Sequence, residues 1–162
     1  QPQFSTDTLL LNTFLDASQP LQLTDLDGDG HTDIVTLGHY WLRNTGAPGF
    51  CVARTDYIPN KNVYTPSSIA ADFDRDGRMD VAAVINDAGI YWLIVYTRDP
   101  DNPGFYKKVV LEQTLCALSL QAADLDGDGD PDLLLSNNNG LYVYKNLYHE
   151  SNAVKHFGQL EY

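Results

Sequence analysis

Apolar residues along this chain fall into short runs broken by Asp, Gly, Asn and Pro, and three kinds of run recur in one order. The first alternates or is built of small residues: Leu21–Thr24, Ile69–Ala71 and Leu118–Ala123. The second is continuously apolar, at Ile34–Leu37, Val81–Ile85 and Leu133–Leu135, as expected of strands buried on both faces. A turn follows at Asn86–Gly89 and Asn137–Gly140, then an aromatic run at Tyr40–Leu42, Ile90–Tyr96 and Leu141–Tyr144. A fourth run opens on Phe4, Phe50, Phe105 or Phe157, and Pro/Gly loops at Ala47–Gly49 and Asn102–Gly104 precede two of these. No stretch carries the caps and periodicity of a helix of about ten residues or more.

The order repeats because the sequence repeats. Three nine-residue segments, Asp25–Asp33, Asp72–Asp80 and Asp124–Asp132, align without gaps, their first Asp residues 47 and 52 positions apart. Downstream, Gly38, Gly89 and Gly140, each two residues before a Tyr, are spaced by 51 and 51. An antiparallel unit of about four strands recurring every 40 to 50 residues, apolar on both faces, is the pattern of a β-propeller blade. A β-sandwich with acidic turns is the alternative, but a sandwich requires no such period. The expected fold is all-β: one partial propeller over 1–162, with blades at 18–64, 65–115 and 116–162. Residues 1–17, through Gln3–Leu11, read as the last strand of a preceding blade. Three blades leave two open apolar faces, so the expected partners are other blades, from further copies, a longer parent or a companion chain.

Charge narrows the function. The chain has 22 acidic against 10 basic residues, a formal net charge of −12 and a pI near 4.4. Nucleic-acid binding begins with Lys and Arg clusters, so none is expected, and no apolar run is long enough to insert in a membrane. Of the acids, 19 are Asp and only Glu112, Glu150 and Glu161 are Glu. Asp is a poor helix former that prefers turns, so it is used here for its short carboxylate at fixed loop positions.

Those positions are the three nine-residue segments, which hold 13 of the 22 acids. In each, the pattern D-x-D-x-D-G-x-x-D sets carboxylates at loop positions 1, 3, 5 and 9: Asp25, Asp27, Asp29, Asp33; Asp72, Asp74, Asp76, Asp80; Asp124, Asp126, Asp128, Asp132. Position 6 is always Gly (Gly30, Gly77, Gly129), where a sharp turn calls for a left-handed backbone. Position 7 is His31, Arg78 or Asp130, a variation expected where only the backbone carbonyl is a ligand. Four carboxylates within nine residues repel one another without a cation, and hard, oxygen-seeking Ca²⁺ fits such a cage better than Mg²⁺. About three structural Ca²⁺ would bring the charge from −12 to −6. An EF-hand is excluded: its closing Glu would fall on Thr36, Ala83 or Leu135, and the loops run straight into apolar strands.

These residues resemble the FG-GAP/VCBS repeat family, the calcium-bearing blades of integrin α-subunit propellers and of bacterial and fungal surface proteins. The likeness covers roughly residues 18–162. It implies that each Asp loop joins the first and second strands of its blade and that the setting is extracellular or cell-surface. Only Gly46–Pro48 and Phe157-Gly158 keep the family's literal words, which favours the broader VCBS type.

Three functions compete. The leading one is a non-catalytic, calcium-stiffened extracellular module for protein interaction or adhesion. The second is a lectin, with Tyr40, Trp41, Tyr91, Trp92 and Tyr142 stacking on sugars beside the Asn137–Asn139 turn; an aromatic repeated at one blade position is more often inter-blade core. The third, part of a polysaccharide-degrading enzyme, is disfavoured. His31 sits inside a loop, His39, His149 and His156 are scattered, and cation-bound carboxylates make poor acid-base groups. Cys51 and Cys116 form no zinc pattern and could pair or remain free.

Overall fold

The recurring runs fold as strands. The computed structural model describes residues 21–36, 40–46, 64–99, 106–148 and 157–159. Eleven strands are found there: β1 Leu21–Thr24, β2 Asp33–Thr36, β3 Tyr40–Leu42, β4 Tyr64–Ala71, β5 Asp80–Asp87, β6 Ile90–Arg98, β7 Tyr106–Thr114, β8 Ala117–Ala123, β9 Asp132–Asn137, β10 Gly140–Asn146 and β11 Phe157–Gln159. They form three antiparallel sheets in the orders β1-β2-β3, β4-β5-β6-β7 and β8-β9-β10-β11, called blades A, B and C below. The architecture is all-β, in incomplete propeller blades. The first strand of blade B, β4, opens at Tyr64. The expected strand of a preceding blade, the fourth strand of blade A led by Phe50, and Cys51 lie outside the described residues.

Each Asp loop connects the first and second strands of its blade. Register makes the three loops equivalent: Leu42, Tyr96 and Tyr144 of the third strands pair with Ile34, Val81 and Leu133. The continuously apolar runs occupy second strands because both faces of such a strand meet a neighbouring blade. Blade B is the clear case. Val81, Ala83, Ile85, Ile94 and Tyr96 pack with Leu26 and Val35 of blade A, whereas Ala82, Val84, Leu93 and Val95 pack with Leu120, Leu133, Leu135 and Tyr144 of blade C. The first strands β1, β4 and β8 lie side by side and line an open space of about 390 Å³.

Polar bonds fasten the blades as well. Gln22 of blade A donates its amide Nε2–H to Ala70 O at 2.9 Å and accepts the Ala70 N–H at 2.8 Å. The Arg98 guanidinium donates to Leu26 O, and Asn146 Nδ2–H donates to Phe73 O at 2.9 Å. The Tyr144 hydroxyl donates to Glu112 of β7; burial, followed by that carboxylate, pushes the phenol well above its ordinary range.

Candidate metal centre

The loops share one hydrogen-bonding scheme, written three times. The position-1 carboxylate accepts backbone N–H groups from the turn it begins. Asp25 takes Gly28, Asp29 and Gly30 at 2.8, 3.1 and 2.8 Å. Asp72 takes Asp76 and Gly77 at 3.1 and 2.9 Å, and Asp124 takes Gly127 and Gly129 at 2.7 and 3.0 Å. Position 5 accepts the N–H of position 7, at 2.9 Å for Asp29–His31, 2.9 Å for Asp76–Arg78 and 2.8 Å for Asp128–Asp130. Asp is the residue that can fold a backbone around itself this way, through a carboxylate one carbon from the chain.

Position 9 does something different. Asp33, Asp80 and Asp132 are buried, and each carboxylate bridges two parts of its blade. One oxygen accepts the N–H of loop position 2 (Leu26, Phe73, Leu125), in every case at 3.0 Å. The other accepts an N–H at the end of the third strand or just past it: Asn44, two residues beyond β3, at 2.7 Å, Arg98 at 2.9 Å and Asn146 at 2.8 Å. Burial pushes Asp80 up to about 7, against the lowering effect of the Arg98 and Phe73 N–H groups and with Asp74 and Asp76 adding repulsion.

Three acidic clusters result. Asp25, Asp27 and Asp29 bring one carboxylate oxygen each within 4.8 Å of one another; so do Asp72, Asp74 and Asp80, and Asp124, Asp126 and Asp132. Asp33, Asp76 and Asp128 fall outside these groupings. An all-oxygen, multiply charged donor set at this spacing fits a hard divalent cation such as calcium and offers nothing to a soft one. Loop position 4 is left-handed alongside position 6: Gly28 and Gly127 have φ of 78° and 81°, and Arg75 is held at 54°.

The position-7 residues differ in use. His31 Nδ1 lies 3.1 Å from Asp29 Oδ1, and the His31 N–H is the first cause holding the Asp29 carboxyl below its ordinary range. Arg78 Nε stands 3.7 Å from Asp76. The Asp130 side chain is buried, with Arg75 of the neighbouring loop 3.6 Å away. Two cations escaped the sequence reading. Arg43 pairs with Asp27 at 2.5 Å and Asp29 at 3.2 Å, and Lys145 pairs with Asp126 at 2.7 Å, holding that carboxyl low. They occupy one position, the residue before Asn44 and Asn146; blade B has Thr97 there. The recurring pairs Arg43-Asn44 and Lys145-Asn146 were the visible signal.

Of the residues singled out for sugar stacking, Trp41 and Trp92 pack against the A–B core, and Tyr91 and Tyr142 against the B–C core. The side chain of Tyr40 lies outside the described residues. Tyr142 also borders an open cleft of about 340 Å³ with Gln113, Thr114, Leu115, Asn137 and Asn139.

Residues 25–83 match a family described as FG-GAP-like repeat, and residues 117–146 match the FG-GAP repeat. No curated protein sequence matches the chain. Among solved structures, it is similar to an Agrocybe aegerita lectin described by its specific recognition of non-reducing terminal N-acetylglucosamine, at 16% identity and a TM-score of 0.37 over 91% of this chain. The chain spans about half of that structure, 53% of its length.

Proposed function

Because the chain belongs to the FG-GAP repeat family, we propose that it is a calcium-stiffened section of an extracellular β-propeller, serving protein interaction or adhesion and not catalysis. One observation carries the calcium part: the same turn of carboxylates and backbone N–H groups is built in all three loops, at 25–33, 72–80 and 124–132. Coordination falls to positions 1, 3, 5 and 9 of each loop, with the carbonyls of His31, Arg78 and Asp130 completing the set. The chain's own residues shape the cradle, and bound calcium supplies charge neutralisation and further cross-linking of loop to hairpin.

The interaction role rests on what propellers offer: a rigid framework with loops at its ends. No helix of the described residues is long and apolar enough to cross a membrane. Native mass spectrometry of the chain, with calcium and after chelation, tests the reading. Three ions per chain support it; failure to take up calcium at extracellular concentrations overturns it.

A second reading, glycan binding, is favoured by the cleft that joins Tyr142 to the amides of Gln113, Asn137 and Asn139. An aromatic face with a few amide donors is a combination that sugars use. Glycan-array binding lost in Tyr142→Ala and retained in loop-Asp variants would establish it. Silent arrays with capture of a defined protein partner would favour adhesion, and depolymerisation of an acidic polysaccharide would overturn both.

A further inference from the structure

We propose that the outer face of blade C and the outer face of blade A are the two halves of one more blade junction, made between two copies of this chain. The covered apolar position and the bond to its carbonyl are present twice within the chain, at A–B and B–C, and the Gln clasp once, at A–B, so the requirements of the junction can be read position by position.

On the forward-facing side of a blade, loop position 2 is apolar and covered by the next blade: Leu26 is 0% and Phe73 2% exposed. Their carbonyls accept from the residue ending the next blade's third strand, Arg98 or Asn146. In blade C the same position is Leu125, 51% exposed. Leu141 of β10 aligns with Leu93 of β6 through their partners Ser136 and Val84; Leu93 is 0% exposed and Leu141 64%. Gln121 stands three residues before its loop, as Gln22 does. It is exposed, whereas the Gln22 amide clasps the Ala70 backbone.

Blade A carries the receiving half. Leu23 is the counterpart of Ala70, two residues before the loop, and is 68% exposed with Leu21 beside it at 63%. Asn44 is the counterpart of Asn146. Both donate Nδ2–H to the carbonyl of loop position 8, Thr32 at 3.1 Å and Pro131 at 3.2 Å; Asn146 donates further to Phe73 O across the junction. A Leu125 carbonyl from a second copy would meet Asn44 as Phe73 meets Asn146. The occupant is thus specified: apolar position 2, its carbonyl and the Gln amide on one side, and Leu23 with Asn44 on the other. Head-to-tail contacts of this kind close into rings or run on as filaments. Two copies joined at both ends make six blades, within the roughly four to eight that close a propeller.

The inference needs the propeller fold but neither calcium nor the adhesion role, so calcium content is measured beside assembly. Sedimentation and native mass spectrometry of the full chain should find a two-copy species. Leu125→Asp and Leu23→Asp each change an exposed residue. Either variant alone should lose that species while keeping the wild-type calcium content and circular dichroism. Mixing the two variants should restore a two-copy species, because one intact C face then meets one intact A face. A wild-type chain that stays single at high micromolar concentration overturns the proposal. So does assembly that survives both substitutions, or a mixture that remains single.

Discussion

Asn146 donates its backbone N–H to Asp132 Oδ1 at 2.8 Å while Leu125 donates to Oδ2 of the same carboxylate at 3.0 Å. The last Asp of the loop is therefore a bracket between the loop and the third strand, besides standing in the acidic cluster with Asp124 and Asp126. Asp132→Ala should orphan both donors and cost about 2–3 kcal/mol. Urea unfolding in chelator checks this: a loss seen only with calcium present would mean the residue acts through the metal alone.

Asp126 and Asp128 are turned toward the loop and are exposed. The double variant Asp126→Ala, Asp128→Ala should lose one calcium and weaken blade C, leaving the loops of blades A and B loaded. Calcium stoichiometry by mass spectrometry reads this directly, and an unchanged count would refute the ligand assignment.

Lys145 occupies the Asp126 carboxylate at 2.7 Å, a place that blade B leaves to Thr97. A cation there repels an incoming metal and competes for its ligand. Lys145→Thr should raise the calcium affinity of the third loop severalfold without altering the other two. Calorimetric titration should resolve one tightened site; a weakened site would mean that Lys145 shapes the cradle.

The turn joining β5 to β6 has positive φ at both central residues, 52° at Ala88 and 86° at Gly89. Such a primed turn suits Asn or Gly at its first position, and Ala pays a steric cost there. Ala88→Asn should stabilise the chain by about 1 kcal/mol, read as a raised denaturation midpoint. An unchanged midpoint would place the strain elsewhere.

Much of this architecture could be read from the chain because the repeat displays it three times. The doubly apolar runs Val81–Ile85 and Leu133–Leu135 became second strands, and the Asp segments became loops between first and second strands. What stayed hidden involved partners distant in sequence. The donors to Asp33, Asp80 and Asp132 lie 11, 18 and 14 residues away, and no local rule points from a loop to a strand end. The apolar residue between the first two Asp of every loop (Leu26, Phe73, Leu125) was in plain view. Its role required seeing the neighbouring blade close over the first two. The aromatic positions were ambiguous for a physical reason: one ring can seal a blade junction and border a cleft, as Tyr142 does.

The blade-to-blade bonds described here, from Gln22 to Ala70, Arg98 to Leu26 and Asn146 to Phe73, each join immediate neighbours. A unit fastened only to the units beside it can be copied or deleted whole, with every surviving joint unchanged. Growth of such a molecule by tandem gene duplication thus meets little structural resistance, and the number of units becomes a quantity that selection can adjust one step at a time.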